Sequence, residues 1–380
     1  MGDERLSSRV LASLRDVGAA EWNALAGKHP LMRHEFLRAL EDTGCATEQS
    51  GWAPRHLTLW RDGRLCAAMP LYLKSHSYGE YVFDWAWADA YQRHGVDYYP
   101  KLLSAIPFSP VTGPRLLVAE PALRKPLAES ALELARERSS LHILFPADAE
   151  AGLLEACGMM IRRGVQFHWR NAGYRSFDDF LGALSHDKRK KIKQERRKVR
   201  ETGVVLRRAS GADIRPEDWV FFNRCYRNTY RAHHSTPYLN LAFFERLGDL
   251  LADNILLVIA ELDGQPIAST LNLFGDGVLY GRYWGAIGYL PNLHFEACYY
   301  QAIEFCIERG IGVFEGGAQG EHKLARGFLP VETRSAHWLS HAGFADAVER
   351  FLERESSGVD RYVDELSDRS PFKQESRGPG

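Results

Sequence analysis

A glycine-rich segment near residue 315 concentrates side chains that can exchange protons. The stretch Phe314-Glu-Gly-Gly-Ala-Gln-Gly-Glu-His-Lys323 contains Glu315, Gln319, His322 and Lys323 among three glycines. Glycine turns leave backbone N–H groups open to a ligand, and Glu, His and Lys side chains can accept or donate protons. We predict that Glu315 and His322 are catalytic and that Gln319 and Lys323 contact substrate. A polar surface loop without a function is the alternative.

A helix predicted over Leu293–Arg309 carries the second group of candidates. Its apolar residues recur at the i, i+3, i+4, i+7 spacing of a buried helix face. His294 and Glu296 flank that face in the first turn, where free N–H groups and the helix dipole favour an anionic ligand. We predict both as catalytic residues. Cys298 lies one turn after His294, so a Cys–His nucleophile pair is an alternative to a plain buried thiol.

The same residues include possible metal ligands. His294-x-Glu296 resembles the start of the zinc deaminase signature, but no Pro-Cys-x-x-Cys follows it in the sequence. His294, Glu315 and His322 could converge on a metal, yet no pair of ligands has the helical spacing of His-Glu-x-x-His. We therefore predict that the protein holds no metal.

A dense basic segment precedes this region. From His186 to Arg200 there are nine Lys or Arg residues against two acids, although the net charge of the chain is only −1. A helix of this charge can bind phosphate groups, and a solvated helix face is the alternative. The residues that we predict to contact donor phosphates are Lys188, Arg189, Lys190, Lys191 and Lys193.

The elements that position these residues repeat within the chain. His56–Leu73 and Leu256–Leu273 are each two apolar runs, joined at Asp62-Gly63 and at Asp263-Gly264. Asp-Gly between two such runs indicates a β-hairpin, because glycine accepts the positive φ of a tight turn.

Three further matches keep the same order. Tyr81–Ala88 corresponds to Val278–Gly285 as a third long strand, and His142–Trp169 aligns with Ile311–Trp338 without a gap. A strand and two helices precede each hairpin. We therefore predict a duplication with an α+β fold, in which each copy is a mostly antiparallel sheet flanked by helices.

The duplication gives a division of the chain and of its roles. We predict an N-terminal domain over residues 1–172, a basic helical connector over 173–202, a C-terminal domain over 203–345 and an acidic helical or disordered tail over 346–380. Apolar or inert residues of the first copy are replaced by polar ones in the glycine-rich segment of the second. The second copy is therefore predicted to be catalytic, and the first to be an acceptor platform.

Further candidates for substrate binding come from polar and aromatic zones of both copies. A strand of small and aromatic residues can line a pocket floor, although core packing explains it equally well. The candidates in the second copy are Arg282, Tyr283 and Tyr299, and those in the first copy are Asp84, Tyr99, Lys101 and Arg115.

Composition indicates a globular protein without a membrane span. The 380 residues are 45% hydrophobic and 26% charged, and no run of about 18 apolar residues is present. The N-terminal residues lack a secretory apolar block, and the six cysteines show no Cys-x-x-Cys pairing. We expect a cytoplasmic protein with reduced thiols.

Several of these stretches together resemble a known family. Tyr98-Tyr-Pro-Lys101, Pro107-Phe-Ser-Pro110, Leu293-His-Phe-Glu-Ala-Cys-Tyr299, Glu315–Lys323 and Arg189-Lys-Lys-Ile-Lys193 are similar to the bacterial FemAB-like predicted N-acyltransferases of peptidoglycan biosynthesis or recognition. The resemblance extends from about Ser8 to His341. It implies two tandem folds of the GNAT acyltransferase type.

That resemblance also implies an activity. Relatives transfer an amino acid from aminoacyl-tRNA, or an acyl group from acyl-CoA, to an amine that can belong to a cell-wall precursor. The segment Ala286–Asn292 does not match the pyrophosphate loop of GNAT enzymes. The long helical arm of the tRNA-dependent enzymes is also missing from the sequence. Acyl-CoA and aminoacyl-tRNA therefore both stay alternatives as the donor. We predict an N-acyltransferase without a tightly bound cofactor, in which Glu296 or Glu315 is the base, with His322 as the alternative. A non-catalytic protein that recognises peptidoglycan or RNA is the rival interpretation.

Overall fold

The computed structural model describes residues 6–317 and 320–373, so Gln319 of the predicted site lies outside the described residues. The strands are β1 (Leu6–Leu11), β2 (Trp52–Pro54), β3 (His56–Arg61), β4 (Arg64–Met69), β5 (Tyr72–Lys74), β6 (Lys101–Ser104), β7 (Leu117–Val118), β8 (Ser140–Leu144), β9 (Met160–Arg170), β10 (Val205–Ala209), β11 (Ile255–Leu262), β12 (Gln265–Gly275), β13 (Val278–Ala286), β14 (Val313–Glu315) and β15 (Leu329–Leu339). The helices are α1 (Ala19–Ala26), α2 (His34–Asp42), α3 (Trp85–Arg93), α4 (Arg124–Ala135), α5 (Asp148–Ala156), α6 (Phe177–Ala183), α7 (His186–Glu201), α8 (Pro216–Ala232), α9 (Leu241–Leu251), α10 (Leu293–Phe295), α11 (Gln301–Arg309) and α12 (Ala342–Asp368).

Contacts divide the chain into two compact units, each made of separate segments. Unit one comprises Met1–Gly164, Tyr238–Leu250 and Glu332–Asp360, and unit two comprises the segments Val165–Pro237, Leu251–Val331 and Arg361–Gly380. This division differs from the contiguous domains predicted above. The basic helix α7, for example, is an integral part of unit two.

In unit two, the strands follow the order β10-β11-β12-β13-β14-β9, where β9 contributes its C-terminal half. The pairs are antiparallel except for β13 with β14. The face of this sheet that carries Leu256, Val258 and Phe314 packs against the helix formed by α10 and α11. Between α10 and α11, residues Glu296–Tyr300 form a π-helical turn. Such turns occur often at functional sites.

In unit one, the strands form two groups. The first is the four-stranded sheet β1-β3-β4-β7, and the second has the order β15-β8-β6-β5-β2, where β15 contributes its C-terminal half. Helix α4 packs on these strands with an apolar face that includes Leu127, Ala131 and Ala135, all of them buried. Unit one therefore has a core of its own.

Both predicted hairpins are present. Strands β3 and β4 turn at Asp62-Gly63, and β11 and β12 turn at Asp263-Gly264. In each turn both residues have positive φ, with 50° and 77° in the first hairpin and 51° and 72° in the second. Each hairpin also contains a register shift shortly before its turn. The same local geometry in both hairpins agrees with the duplication.

The C-terminal part of the last strand of each copy belongs to the unit built mainly from the other copy. Strands β9 and β15 both have 11 residues, and the glycines before them, Gly158 and Gly327, have φ values of 88° and 87°. Residues 165–170 of β9 belong to unit two, where they pair with β14. Residues 335–339 of β15 belong to unit one, where they pair with β8. This exchange of strands is the physical reason why contiguous domain boundaries do not describe the contacts.

One predicted strand is wrong. Residues 81–88 do not form a third strand, because helix α3 begins at Trp85. Trp87 and Tyr91 are buried at i, i+4 spacing on one face of this alanine-rich helix. The counterpart of β13 in unit one is β6, which runs parallel to β8 as β13 runs parallel to β14.

The predicted mixed α+β fold is confirmed. Within the described residues, every helix is too short or too polar to cross a membrane.

Candidate active site

The predicted base Glu315 is the last residue of β14, which lies between β13 and β9 in the unit-two sheet. Its register partners are Tyr280 on β13 and His168 on β9. Residues directly opposite each other in an antiparallel pair share one face of the sheet, so the side chains of His168 and Glu315 are neighbours. Burial, with Arg170 and Lys323 as further causes, lowers the pKa of His168 to about 4. His168 is therefore a neutral imidazole at neutral pH.

Two glycines after β14, Gly316 and Gly320, leave no room for a larger residue. A Cβ atom on Gly316 would lie 2.9 Å from the Phe328 ring and 3.4 Å from Cδ of Lys323. Gly320 has a φ of 114°, a conformation that favours glycine, and a Cβ atom there would lie 2.3 Å from the His322 ring. These glycines let the side chains of Lys323 and His322 lie directly against the backbone that follows Glu315.

Lys323 is the buried cation of this turn. Only 2% of the residue is exposed, and its Nζ donates a hydrogen bond to the carbonyl oxygen of Gly317 at 2.8 Å. Burial disfavours the charged form of an amine, and it lowers the pKa of Lys323 to about 8. The sequence placed Lys323 in the site but could not show that its amine would be buried.

His322 and His294 lie in one aromatic cluster with Tyr299. Nε2 of His322 is 3.0 Å from the Tyr299 hydroxyl, and the rings of His322 and His294 are 6.2 Å apart. Burial, with His322 and nearby cations as lesser causes, lowers the pKa of His294 to about 4. Burial also lowers the pKa of His322, together with Arg326 and Lys323. The structure thus brings three predicted residues together beside the glycine-rich turn.

Glu296 is engaged elsewhere. Its carboxylate accepts hydrogen bonds from Nε and Nη2 of Arg196 at 3.1 and 3.0 Å, and from Gln301 at 2.8 Å. Arg196 also binds Glu304. A bidentate Arg–carboxylate pair of this kind holds the π-helical turn against α7. Glu296 therefore anchors the π-helical turn to α7, and Glu315 is the better-placed candidate for the base.

The alternative chemistries receive no support. Burial raises the pKa of the Cys298 thiol well above its usual value, which disfavours the thiolate that a nucleophile needs. The part of the chain that the structure describes contains no group of three His, Cys, Asp or Glu side chains that could hold a metal ion.

A buried ion pair next to the site was not predicted. Arg326 binds Glu195 of α7 at 2.7 Å and the Tyr300 hydroxyl at 3.1 Å. The sequence shows both charges, but they are 131 residues apart. Their pairing depends on the packing of α7 against the turn at Glu321–Arg326, and no local pattern encodes it.

The basic helix α7 lines a groove of about 860 Å³ within unit two. At 100° per residue, positions 186, 189, 190, 193, 197 and 200 share one face of the helix. Three of the five predicted phosphate contacts, Arg189, Lys190 and Lys193, line the groove, while Lys188 and Lys191 lie on other faces. The other basic residues of the lining are Arg196, Arg197 and Arg200.

Arg282 and Tyr283 lie on β13 next to the site. Asn272 of β12 pairs with Gly281 and Leu271 pairs with Tyr283, so Arg282 occupies a β-bulge. Bulges often redirect a side chain beside a functional site. The Tyr283 ring packs on Tyr226 of α8 at 5.1 Å.

The candidates in unit one form a buried ionic cluster. Lys101 is fully buried and forms ion pairs with Glu80 at 2.8 Å and with Asp84. Burial would lower the pKa of Lys101, but Glu80 and Asp84 raise it above its ordinary value. The Tyr99 hydroxyl lies 2.8 Å from Ser77, another partner of Lys101. This closed network stabilises the fold, and it places Asp84 and Lys101 away from solvent.

Arg115 is also a structural residue. It is fully buried, and its guanidinium donates hydrogen bonds to the carbonyl oxygens of Leu144, Gly113 and Val111 at 2.9, 3.1 and 2.6 Å. The carboxylate of Glu150 accepts from the backbone of Arg115 at 2.7 Å. The predicted contact of Arg115 with substrate is not compatible with this burial.

The comparisons with known proteins agree on family and fold. The model of the FemAB-like family, described as peptidoglycan biosynthesis/recognition, matches residues 13–374. The crystal structure of FemX is 12% identical and covers 90% of this chain and 100% of its own, with a TM-score of 0.54. A conserved protein of unknown function from Bacteroides thetaiotaomicron is 11% identical and covers 87% of this chain and 99% of its own, with a TM-score of 0.50.

One further solved structure and the curated protein sequences were also compared with the chain. A tandem GNAT protein from the clavulanic acid biosynthesis pathway is 13% identical and covers 89% of this chain and 99% of its own, with a TM-score of 0.46. No curated protein sequence matches the chain. Since the family model spans nearly the whole sequence, the chain belongs to the FemAB-like family.

Proposed function

We propose that the protein is an N-acyltransferase that moves an acyl or aminoacyl group from an activated, phosphate-bearing donor to an amine. The single observation that carries this proposal is the buried amine of Lys323 in the glycine-rich turn after β14. Membership of the FemAB-like family supports it, because this family typically contains aminoacyl- and acyltransferases. The amine acceptor can belong to a cell-wall precursor.

Acyl transfer requires a site that stabilises an oxyanion. The acceptor amine attacks the donor carbonyl, a C–N bond forms, and negative charge develops on the carbonyl oxygen before the bond to the leaving group breaks. Lys323 is protonated below about pH 8, and in this buried setting its positive charge stabilises that oxygen. The backbone N–H groups of Gly316 and Gly317 are the proposed additional donors to that oxygen.

Two proton transfers complete the reaction. The attacking nitrogen must lose a proton, and Glu315 at the end of β14 is the proposed base. The leaving group must gain a proton, and His322, a neutral imidazole beside the Tyr299 hydroxyl at 3.0 Å, is proposed to relay to it the proton that Glu315 accepts. In this mechanism Glu296 anchors the helix through Arg196 and takes no part in proton transfer.

The basic groove on α7 is the proposed site for the donor's phosphates. From Arg189 to Arg200 the helix rises about 16 Å, which is long enough to contact several phosphate groups. Both acyl-CoA and aminoacyl-tRNA carry several phosphates, so the groove fits either donor. They differ in how binding depends on salt, since a polyanion releases more counterions when it binds.

The decisive experiment measures transfer directly. The protein is incubated with a panel of acyl-CoA donors and with charged tRNA, each with amine acceptors, and products are detected by mass spectrometry. Glu315→Gln should reduce kcat by about 100-fold or more, whereas Glu296→Gln should mainly lower stability. Binding of the donor without any transfer would refute the enzyme and favour a recognition protein.

The donor class follows from a binding titration at several salt concentrations. If tRNA is the donor, log K should fall with log salt with a slope of several counterions, and Lys193→Ala should reduce that slope by about one. Lys191→Ala is the matched control, because Lys191 lies outside the groove. An equal effect of both substitutions would refute the groove as the phosphate site.

A further inference from the structure

Arg326 is nearly buried beside the proposed site, yet the mechanism above gives it no role. Its side chain is 3% exposed, and the guanidinium lies 3.4 Å from the centroid of the Phe295 ring. Burying a guanidinium is costly unless its donors are satisfied. Each of its three nitrogens has a partner.

These partners come from three different elements. Nη2 donates to the carboxylate of Glu195 on α7 at 2.7 Å, and Nε donates to the hydroxyl of Tyr300 in the π-helical turn at 3.1 Å. Nη1 donates to the backbone carbonyl of His322 at 2.7 Å. Tyr300 in turn donates a short hydrogen bond to Glu195. The guanidinium therefore joins α7 and the π-helical turn to the residue that precedes Lys323.

The planar guanidinium fixes these partners in one relative geometry. Its donors form a rigid fork, so a displacement of the turn at Glu321–Arg326 would break several hydrogen bonds together. A lysine has the same charge, but its single nitrogen could not serve three partners at these positions. The hydrogen bond from Arg326 to the His322 carbonyl oxygen holds the backbone of the turn directly.

We infer that Arg326, anchored by Glu195 and Tyr300, is the positioning residue that holds the turn carrying His322 and Lys323 in the geometry required for transfer. The inference rests on the proposed function as far as transfer is concerned. A second consequence does not depend on transfer, because the Arg326 charge also acts on the titration of His322.

The first test uses NMR titration of the histidine side chains and needs no substrate. His322 is assigned by the loss of its signal in His322→Gln. Removal of a neighbouring cation favours the protonated imidazole, so Arg326→Met should raise the pKa of His322 by about half a pH unit. Arg326→Lys should leave this pKa nearly unchanged but move the His322 signals, since the turn loses its backbone contact. Wild-type signals and pKa in both variants would overturn the inference.

The second test is kinetic. Arg326→Lys should lower kcat by at least about 10-fold while KM stays within about twofold, because a displaced Lys323 stabilises the transition state less well. Tyr300→Phe keeps the Glu195–Arg326 pair, so it serves if the Arg326 variants do not fold. Tyr300→Phe should lower kcat by a smaller factor than Arg326→Lys, also with little change in KM. Tyr174→Phe is the matched control, because the Tyr174 ring packs against the rings of Trp169 and Phe180, at 6.1 and 5.4 Å between centroids, and not against Arg326.

The two tests separate failure of the inference from failure of the proposed function. If the wild type shows no transfer with any donor, the proposed function fails, and the NMR result alone decides whether Arg326 positions the turn. If the wild type transfers and Arg326→Lys keeps the wild-type kcat, the inference fails while the proposed function stands. An equal fall in kcat in Tyr174→Phe and Tyr300→Phe would also overturn it.

Discussion

Replacing Lys323 by methionine should stabilise the protein while abolishing transfer. The native state holds this amine buried, and its pKa falls from 10.5 to about 8. Each pKa unit corresponds to about 1.4 kcal/mol, so the buried charge costs about 3 kcal/mol at pH 7. Methionine has a similar shape and no charge. Its gain is reduced by about 1 kcal/mol, because the hydrogen bond to Gly317 is lost.

The effect has a defined pH dependence. Between pH 8 and 10.5 the unfolded chain keeps its proton on Lys323 while the folded protein releases it, so wild-type stability rises with pH across this window. Below pH 8 both states are protonated and the cost is constant. Lys323→Met should therefore be about 2 kcal/mol more stable than the wild type at pH 7, and this advantage should vanish by about pH 10.

Urea unfolding at pH 7 and pH 10, followed by tryptophan fluorescence, measures both quantities. Lys191→Met is the matched control, since Lys191 is exposed on α7 and should change stability by less than about 0.5 kcal/mol. Transfer by Lys323→Met should fall by about 100-fold or more, as for the loss of an oxyanion-stabilising group. The buried-charge reasoning would be refuted if Lys323→Met were less stable than the wild type at pH 7. It would also be refuted if the two proteins differed in free energy of unfolding by the same amount at pH 7 and pH 10.

Three further predictions concern packing and charge. Gly285→Ala should lower the free energy of unfolding by about 3 kcal/mol, because the new Cβ atom would lie 2.2 Å from the Cys225 carbonyl oxygen. Gly288→Ala is the control: no atom outside its chain neighbours lies within 4 Å of its new Cβ, so the urea midpoint should change little. Lys101→Met should cost about 3–5 kcal/mol, since it leaves Glu80 and Asp84 buried without their shared cation, and an unchanged urea midpoint would contradict the ion pair. Transfer by the wild type should decline as pH rises through about 8, where Lys323 loses its proton, and a rate that continues to rise above pH 9 would exclude a cationic role.

Candidate residues of the site could be predicted from the sequence because their signals are local. The glycine-rich segment after a strand predicted Glu315, His322 and Lys323, and in the structure His322 contacts Tyr299. The helical periodicity over residues 293–309 likewise predicted the helix that carries His294. The π-helical turn within that helix was not predicted, since hydrophobic spacing does not distinguish one extra residue in a turn.

The candidates in unit one show why polarity alone is a weak guide. Asp84, Lys101 and Arg115 were selected because charged residues beside aromatics and prolines can line a pocket. The structure buries all three. Charged side chains are rarely buried unless they are paired. Lys101 is paired with Glu80 and Asp84, 21 and 17 residues away, and no local pattern in the sequence indicates this pairing. Residue type therefore identified polar groups but could not separate a binding site from an internal ion pair.

The sequence by itself determined the two hairpins and the helical character of residues 293–309. These follow from backbone preferences and side-chain periodicity, which act over a few residues. Only the tertiary structure decided that β9 and β15 are each divided between the two units, that Glu296 is paired with Arg196, and that Arg326 is paired with Glu195. These pairs join groups that are 100 and 131 residues apart in the sequence, and the free energy of a buried charge is set by such partners.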